Sequence, residues 1–200
     1  VFGCNPPVSW DEFEVVCSAA REQGMKPYLY VTLFDEGWPL APVEERESSH
    51  HNSQHAKDSC WQSRFSRCHP DYCAVDRDGN RRQWGVLSLA YREVREYHRN
   101  RYRQMLSEGE FAGLFLCLRS QSRPAEFADQ FGFNEPARNR FLEETGQDVW
   151  NGGFDPGLWR KHLGEELTRF LKELRKDLDA SAVRLAVGVP RGDVLGPPLG

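Results

Sequence analysis

An α/β fold built on parallel strands is what this sequence predicts, and three features predict it. Apolar or aromatic runs of strand length occur at "PYLYVTLF" (Pro27–Phe34), "GLFLCL" (Gly113–Leu118) and "VRLAVGVP" (Val183–Pro190). The first is uninterrupted, as in strands covered on both faces of a parallel sheet. Segments of helical periodicity separate the three runs, and strands alternating with helices pair in parallel through right-handed crossovers. Three consecutive strands are too few to close a sheet, and a full (β/α)8 TIM barrel takes about 250 residues. The 200 residues are therefore expected to form a single domain, 1–200, that is a partial (β/α)8 barrel with a long loop after the first strand.

Each element has a local cause. Ser9-Trp10-Asp11-Glu12 has the spacing of a capping box, Trp10, Phe13, Cys17 and Ala20 recur at helical spacing, and Gly24 supplies a left-handed stop. After the first strand comes a polar stretch, Asp35–Leu87, rich in Ser and His; loops this long in compact domains are functional or disordered. Within it, Tyr72–Trp84 has the pattern of a hairpin closing at Asp78-Gly79. Tyr91, Val94, Tyr97, Tyr102 and Met105 form one helical stripe with His98 as a hydrogen-bonded core-edge histidine, and the dispersed cations of Arg99–Arg103 are expected as a solvated face. Asn134 is placed to cap a short helix ending at Gly146. Asp155, followed by Pro156, is placed to cap a long one burying Trp159, Leu163, Leu167, Phe170, Leu171, Leu174 and Leu178.

Composition narrows the function classes. With 39% hydrophobic and 28% charged residues the chain has the makeup of a globular domain with a real core. A net charge of −4 with scattered basic residues argues against nucleic acid as a partner. No apolar window reaches the length of a membrane span, so no membrane insertion is expected. The start, Val1-Phe2-Gly3, shows no basic segment leading into an apolar one, and no signal peptide is predicted from it. The cysteines contain no C-x-x-C pair. Cys17 and Cys117 are expected as buried thiols, whereas Cys60, Cys68 and Cys73 share a polar loop with His69, where unpaired thiols, a disulfide or a metal site are all open. A metal-assisted hydrolase drawing on His50, His51, His55 and His69 is a weaker reading, and no metal or cofactor enters the leading one.

Ligands of open α/β sheets and of barrels bind beyond the carboxyl ends of the strands. That rule selects Asp35, Glu36 and Trp38 after the first strand, Arg119, Gln121 and Arg123 after the second, and Arg191 and Asp193 after the third. The long loop would lie over this rim and bring His69, Asp71 and Trp84. Carboxylates, guanidinium forks and indoles on one rim suit a carbohydrate, whose C–H faces stack on rings while its hydroxyls bond acids and arginines. Each residue also has a plainer use: Asp35 and Glu36 as loop caps, Trp38 as a packing anchor, Arg119 in a fork with Asp129 or Glu126. "FNEP" (Phe133–Pro136) has the Asn-Glu pair of many glycosidase barrels, yet a helix cap at Asn134 with Glu135 in the first turn explains it. "DRDGN" (Asp76–Asn80) lacks the remaining positions of a calcium loop.

Together "AREQGMKPYLYVTLFDEGWP", "HPDYCAVDRDGNRRQWGVLSLAYREVREY", "FAGLFLCLRSQS" and "FGFNEPARNRFLEETGQDV" resemble, in order, the bacterial family-10-like glycosidases, glycosyl-hydrolase-like TIM-barrel proteins. The resemblance spans about Ala20 to Leu174. It implies a glycoside hydrolase acting on a polysaccharide or cell-wall glycan, and a secreted or envelope location. One departure stands out: many members end the second of these strands in a Gly-Ile-His-Phe-Asp-like pattern, whereas Gly113-Leu114-Phe115-Leu116-Cys117 puts a thiol where that carboxylate would be. As a hydrolase, the chain would use two rim carboxylates, one of Asp35 and Glu36 with one of Asp193 and Asp129. The alternative is a catalytically silent barrel that recognises an anionic sugar through Arg119 and Arg123.

Overall fold

The computed structural model describes residues 11–37, 62–118, 129–151 and 153–188. The chain is a mixed α/β protein. Its elements in order are α1 (Glu12–Glu22), β1 (Tyr28–Thr32), α2 (Arg64–Cys68), a 3-10 turn (Pro70–Tyr72), β2 (Cys73–Val75), β3 (Arg82–Leu87), α3 (Arg92–Leu106), β4 (Gly113–Cys117), α4 (Glu135–Thr145), a second 3-10 turn (Val149–Asn151), α5 (Pro156–Asp179) and β5 (Arg184–Gly188). Two compact units divide it: Val1–Leu33 with Arg95–Arg119 and Phe170–Gly200, and Phe34–Val94 with Ser120–Arg169.

The first unit holds a three-stranded sheet in the order β1-β4-β5. Both pairings are parallel, with Thr32 beside Cys117 and Cys117 beside Gly188, so the three carboxyl ends share one side of the sheet. Leu29, Val31, Leu114 and Leu116 are buried on one face, each contributing about 1.5–3 kcal/mol. β1 departs from the expected cover on both faces among the described residues, for Tyr28 and Tyr30 are exposed. The rings lie along the sheet instead: Tyr30 stacks on Phe115 at 5.5 Å and 12°. Gly113 makes room for the Tyr28 ring, and a Cβ at Gly188 would stand 2.8 Å from Phe115.

Helix α1 starts two residues later than a Ser9 cap would place it. Its N-cap is Asp11, whose carboxylate accepts from the Glu14 N–H at 3.1 Å. An aspartate caps as well as a serine and adds its charge at the positive end of the helix. Ser9 and Trp10 lie outside the described residues. Gly24 takes φ +71°, the expected left-handed stop. His98 is fully buried and its Nδ1 lies 3.4 Å from the Tyr102 hydroxyl, as expected of a core histidine. Burial pushes its pKa down to about 3, helped by the Arg101 charge. Arg99 departs from the solvated face expected of it: its Nε and Nη2 grip Asp177 at 2.6 and 2.8 Å, and Nη1 reaches Glu173 at 3.3 Å.

In the second unit β2 and β3 pair antiparallel, as the Asp78-Gly79 turn predicts. Gly79 takes φ +74°, and the Asp76 carboxylate accepts from the N–H groups of Asn80 at 2.8 Å and Arg81 at 3.0 Å. That carboxylate holds the turn. The described part of the long polar stretch departs from a plain loop, for it contains α2, capped by Ser63 Oγ, and the Pro70–Tyr72 turn. The core packs Ala90, Phe133, Ala137, Phe141, Val149 and Trp159 together. Asp155 Oδ1 accepts from Gly157 N at 2.7 Å to cap α5, and Gly146 closes α4 at φ +70°, both as expected. Of the apolar residues expected inside α5, Trp159 is fully buried in this unit and Phe170, Leu174 and Leu178 are fully buried in the first, while His162 and Glu166 are buried unforeseen.

Candidate functional site

The second unit carries an aromatic ledge. Side chains three residues apart eclipse in a 3-10 turn, and Pro70 opens the turn here, so His69 stacks on Tyr72 at 5.1 Å and 16°. Phe65 packs against both rings, at 4.9 and 5.8 Å. Tyr91, which enters α3, extends the ledge with its ring 4.6 Å from that of Tyr72.

Two carboxylates act on this ledge, Asp71 from the turn itself and Glu135 from the start of α4. The Tyr91 hydroxyl bonds the Asn134 side chain, and the charges of Glu135 and Asp71 both act on it. Burial is the main cause pushing the Tyr91 phenol upward, the Asn134 bond opposes it, and the two acids add to it. Glu135 and Asp71 are themselves exposed. Arg82 Nη2 donates to Asp71 Oδ1 at 2.7 Å while its Nε donates to the Pro70 carbonyl at 3.1 Å, tying β3 to the turn.

Beneath lies a polar floor. The Asn134 amide donates to the Cys73 carbonyl at 2.8 Å and to that of Asp71 at 3.4 Å, and its Oδ1 accepts from Val75 N at 3.4 Å. Its side chain is therefore turned into β2 rather than onto the helix it precedes, which has no side-chain cap at that position. Cys73 Sγ is buried 3.8 Å from the Ser66 hydroxyl. Burial raises its pKa, the Ser66 bond and the Arg82 charge oppose this, and Asp71 and Glu36 add to it. The thiol is thus held in its unreactive form. Glu36 is fully buried. Its N–H donates to Gly85 O and its carbonyl accepts from Ser63 N, both at 3.0 Å.

The residues selected from sequence fall in several places. Asp71 and His69 join the ledge, Glu36 lies in its floor, Asp35 is half-buried and Trp84 sits half-buried in β3. Asp129 takes φ +62° and gives both oxygens to Arg160, at 2.9 and 2.7 Å from Nε. Trp38, Arg119, Gln121, Arg123, Arg191 and Asp193 lie outside the described residues, as do Cys4, Cys60, His50, His51 and His55. Cys117 is a half-buried free thiol at the end of β4, and Cys17, Cys68 and Cys73 are also free. Sequence reasoning missed Tyr91, Arg82, Ser66 and the inward turn of Asn134. The signal for them was the buried-type Asn within "FNEP", which a cap also explains. No helix among the described residues is long and apolar enough to cross a membrane.

No family model matches the chain and no curated protein matches it. Among solved structures, the α-galactosidase from Lactobacillus brevis is similar at TM-score 0.47 and 14% identity, over 88% of this chain and 18% of that one. The chain thus spans less than a fifth of that enzyme's length, and the likeness is a distant one to a glycosidase.

Proposed function

We propose that the chain is part of a glycoside-hydrolase-like barrel that acts on a polysaccharide or cell-wall glycan. The observation that carries this reading is the aromatic ledge of His69, Tyr72 and Tyr91, with two exposed carboxylates, Asp71 and Glu135, whose charges reach Tyr91. A sugar ring packs its C–H face on Tyr72, Tyr91 and His69. One of the two acids protonates the leaving glycosidic oxygen. The other, ionised, either attacks the anomeric carbon or takes a proton from the water that does so. Arg82 holds Asp71 and the turn that carries it, and Asn134 holds the strand beneath.

Glu36 has no surface for a substrate to touch, and Asp129 has both oxygens committed to Arg160, so neither reacts directly in this scheme. Asp35 and Asp193 stay as further rim carboxylates. The test is release of reducing ends from a panel of neutral and acidic polysaccharides and peptidoglycan by the full chain. Release from any of them supports hydrolysis.

A second reading, a silent barrel that binds an anionic sugar through Arg119 and Arg123, is favoured by Cys117, a thiol at the tip of β4 where a carboxylate would serve a hydrolase. Saturable binding of acidic oligosaccharides without any release selects it, and Arg119→Ala then abolishes binding.

A further inference from the structure

His162, in α5, is buried, and both of its ring nitrogens are engaged. Its Nε2 lies 2.9 Å from the carbonyl oxygen of Ala137. A carbonyl only accepts, so Nε2 carries the hydrogen, and Nδ1 is the ring atom that presents a lone pair. Nδ1 faces Glu144 Oε2 at 3.0 Å. A lone pair against a carboxylate is repulsive unless a proton or a cation stands between them. Glu165, one helical turn along α5 at i+3, brings a second carboxylate, and the three ligand atoms lie within 4.8 Å of one another.

We propose that Glu144, His162 and Glu165 form a binding site for a divalent transition-metal ion, with zinc the simplest occupant. The donor set, one imidazole and two carboxylates, is one that zinc accepts, with bonds of about 2.0–2.2 Å and a fourth position left for water. The second shell is already in place. A metal-bound histidine almost always donates its other N–H to a carbonyl or carboxylate, and Ala137 O receives it here. The ring is also fixed between aromatic neighbours, stacked on Trp159 at 5.6 Å and 22° and edge-on to Phe141 at 5.5 Å. Glu144 and Glu165 are exposed, so each can swing the short distance to a common ion.

Charge separates an ion from a proton. The neighbouring buried carboxylate, Glu166, is already compensated by Arg140 and by Arg169 at 3.4 Å. Among the described residues no Lys or Arg pairs with Glu144 or Glu165. One proton on Nδ1 offsets a single carboxylate, whereas a divalent ion offsets both. A site assembled from an i, i+3 pair on one helix and an acid from its neighbour is a familiar way for packed helices to hold a metal.

The experiment is zinc titration by calorimetry on the full chain carrying His50→Gln, His51→Gln and His55→Gln, which removes the loop histidines as competitors. One equivalent is expected, with affinity lowered about 10-fold or more by Glu144→Gln and by Glu165→Gln separately. Both substitutions are at exposed positions, so folding survives them. In parallel, the nitrogen resonances of His162 should show Nδ1 shifting on addition of one equivalent of zinc while Nε2 keeps its hydrogen. Absence of binding, binding unchanged by both glutamine variants, or an Nδ1 resonance that zinc leaves unmoved overturns the site and leaves a plain histidine–carboxylate pair.

Discussion

The side-chain amide of Asn134 donates to the backbone carbonyl of Cys73 at 2.8 Å, across 61 residues of chain. The same side chain receives the Val75 N–H and meets the Tyr91 hydroxyl, so one buried amide joins β2, the entry to α3 and the start of α4. Removing it strands polar backbone in a dry place. Asn134→Ala is expected to cost about 2–3 kcal/mol of stability. Asn134→Asp should cost at least as much, because a carboxylate cannot donate to the Cys73 carbonyl. Chemical denaturation of the two variants checks this; a loss below about 0.5 kcal/mol in both contradicts it.

His98 predicts an acid dependence. Its folded pKa of about 3 lies below the ordinary 6.5, so between those values the unfolded chain holds a proton that the folded chain does not. Stability therefore falls as pH drops from 6.5 toward 3, with a slope from this group of up to about 1.4 kcal/mol per unit. Above 6.5 the group contributes no slope. Denaturation curves at several pH values should show that His98→Gln flattens the dependence in this window. An unchanged slope would place the proton uptake elsewhere.

Arg99 and Asp177 predict an effect of a different kind. The fork at 2.6 and 2.8 Å, only partly exposed, holds the Asp177 carboxyl below its ordinary range, chiefly through the hydrogen bonds from Arg99. That contribution is present above the ordinary carboxylate pKa and is lost as pH falls through the lowered one. Arg99→Ala should cost about 1–2 kcal/mol at neutral pH, and less once Asp177 is protonated. Equal losses at neutral and strongly acidic pH would contradict the pairing.

How much of this was legible in the sequence follows from what each signal measures. The parallel sheet was legible, because "PYLYVTLF", "GLFLCL" and "VRLAVGVP" announce strands and helices separate them, although β5 has no fully buried residue. The Asp78-Gly79 hairpin, the Gly24 and Gly146 stops and the Asp155 cap were legible for the same reason: each rests on local backbone chemistry. Coverage of β1 was not, since an apolar run looks alike whether its tyrosines meet a second layer or lie across a glycine. Asn134 shows the limit most clearly. Its position suits a helix cap, and only the approach of a strand from 61 residues away turns the side chain inward. The ledge required the 3-10 turn at Pro70, which places His69 over Tyr72. The pairing of Glu144 with His162 likewise depends on two helices meeting, and no spacing within one helix reveals it.

The most direct test of the proposed site compares three variants on a glycan from which the full chain is found to release reducing ends. Asp71→Asn and Glu135→Gln should each lower kcat by about 10²–10⁴-fold with substrate affinity nearly kept, as expected when a general acid or base is removed. Asp129→Asn should leave kcat within about threefold, because that carboxylate is occupied by Arg160. Full activity in Asp71→Asn and Glu135→Gln, with loss in Asp129→Asn, would contradict the assignment and move the chemistry away from Tyr91.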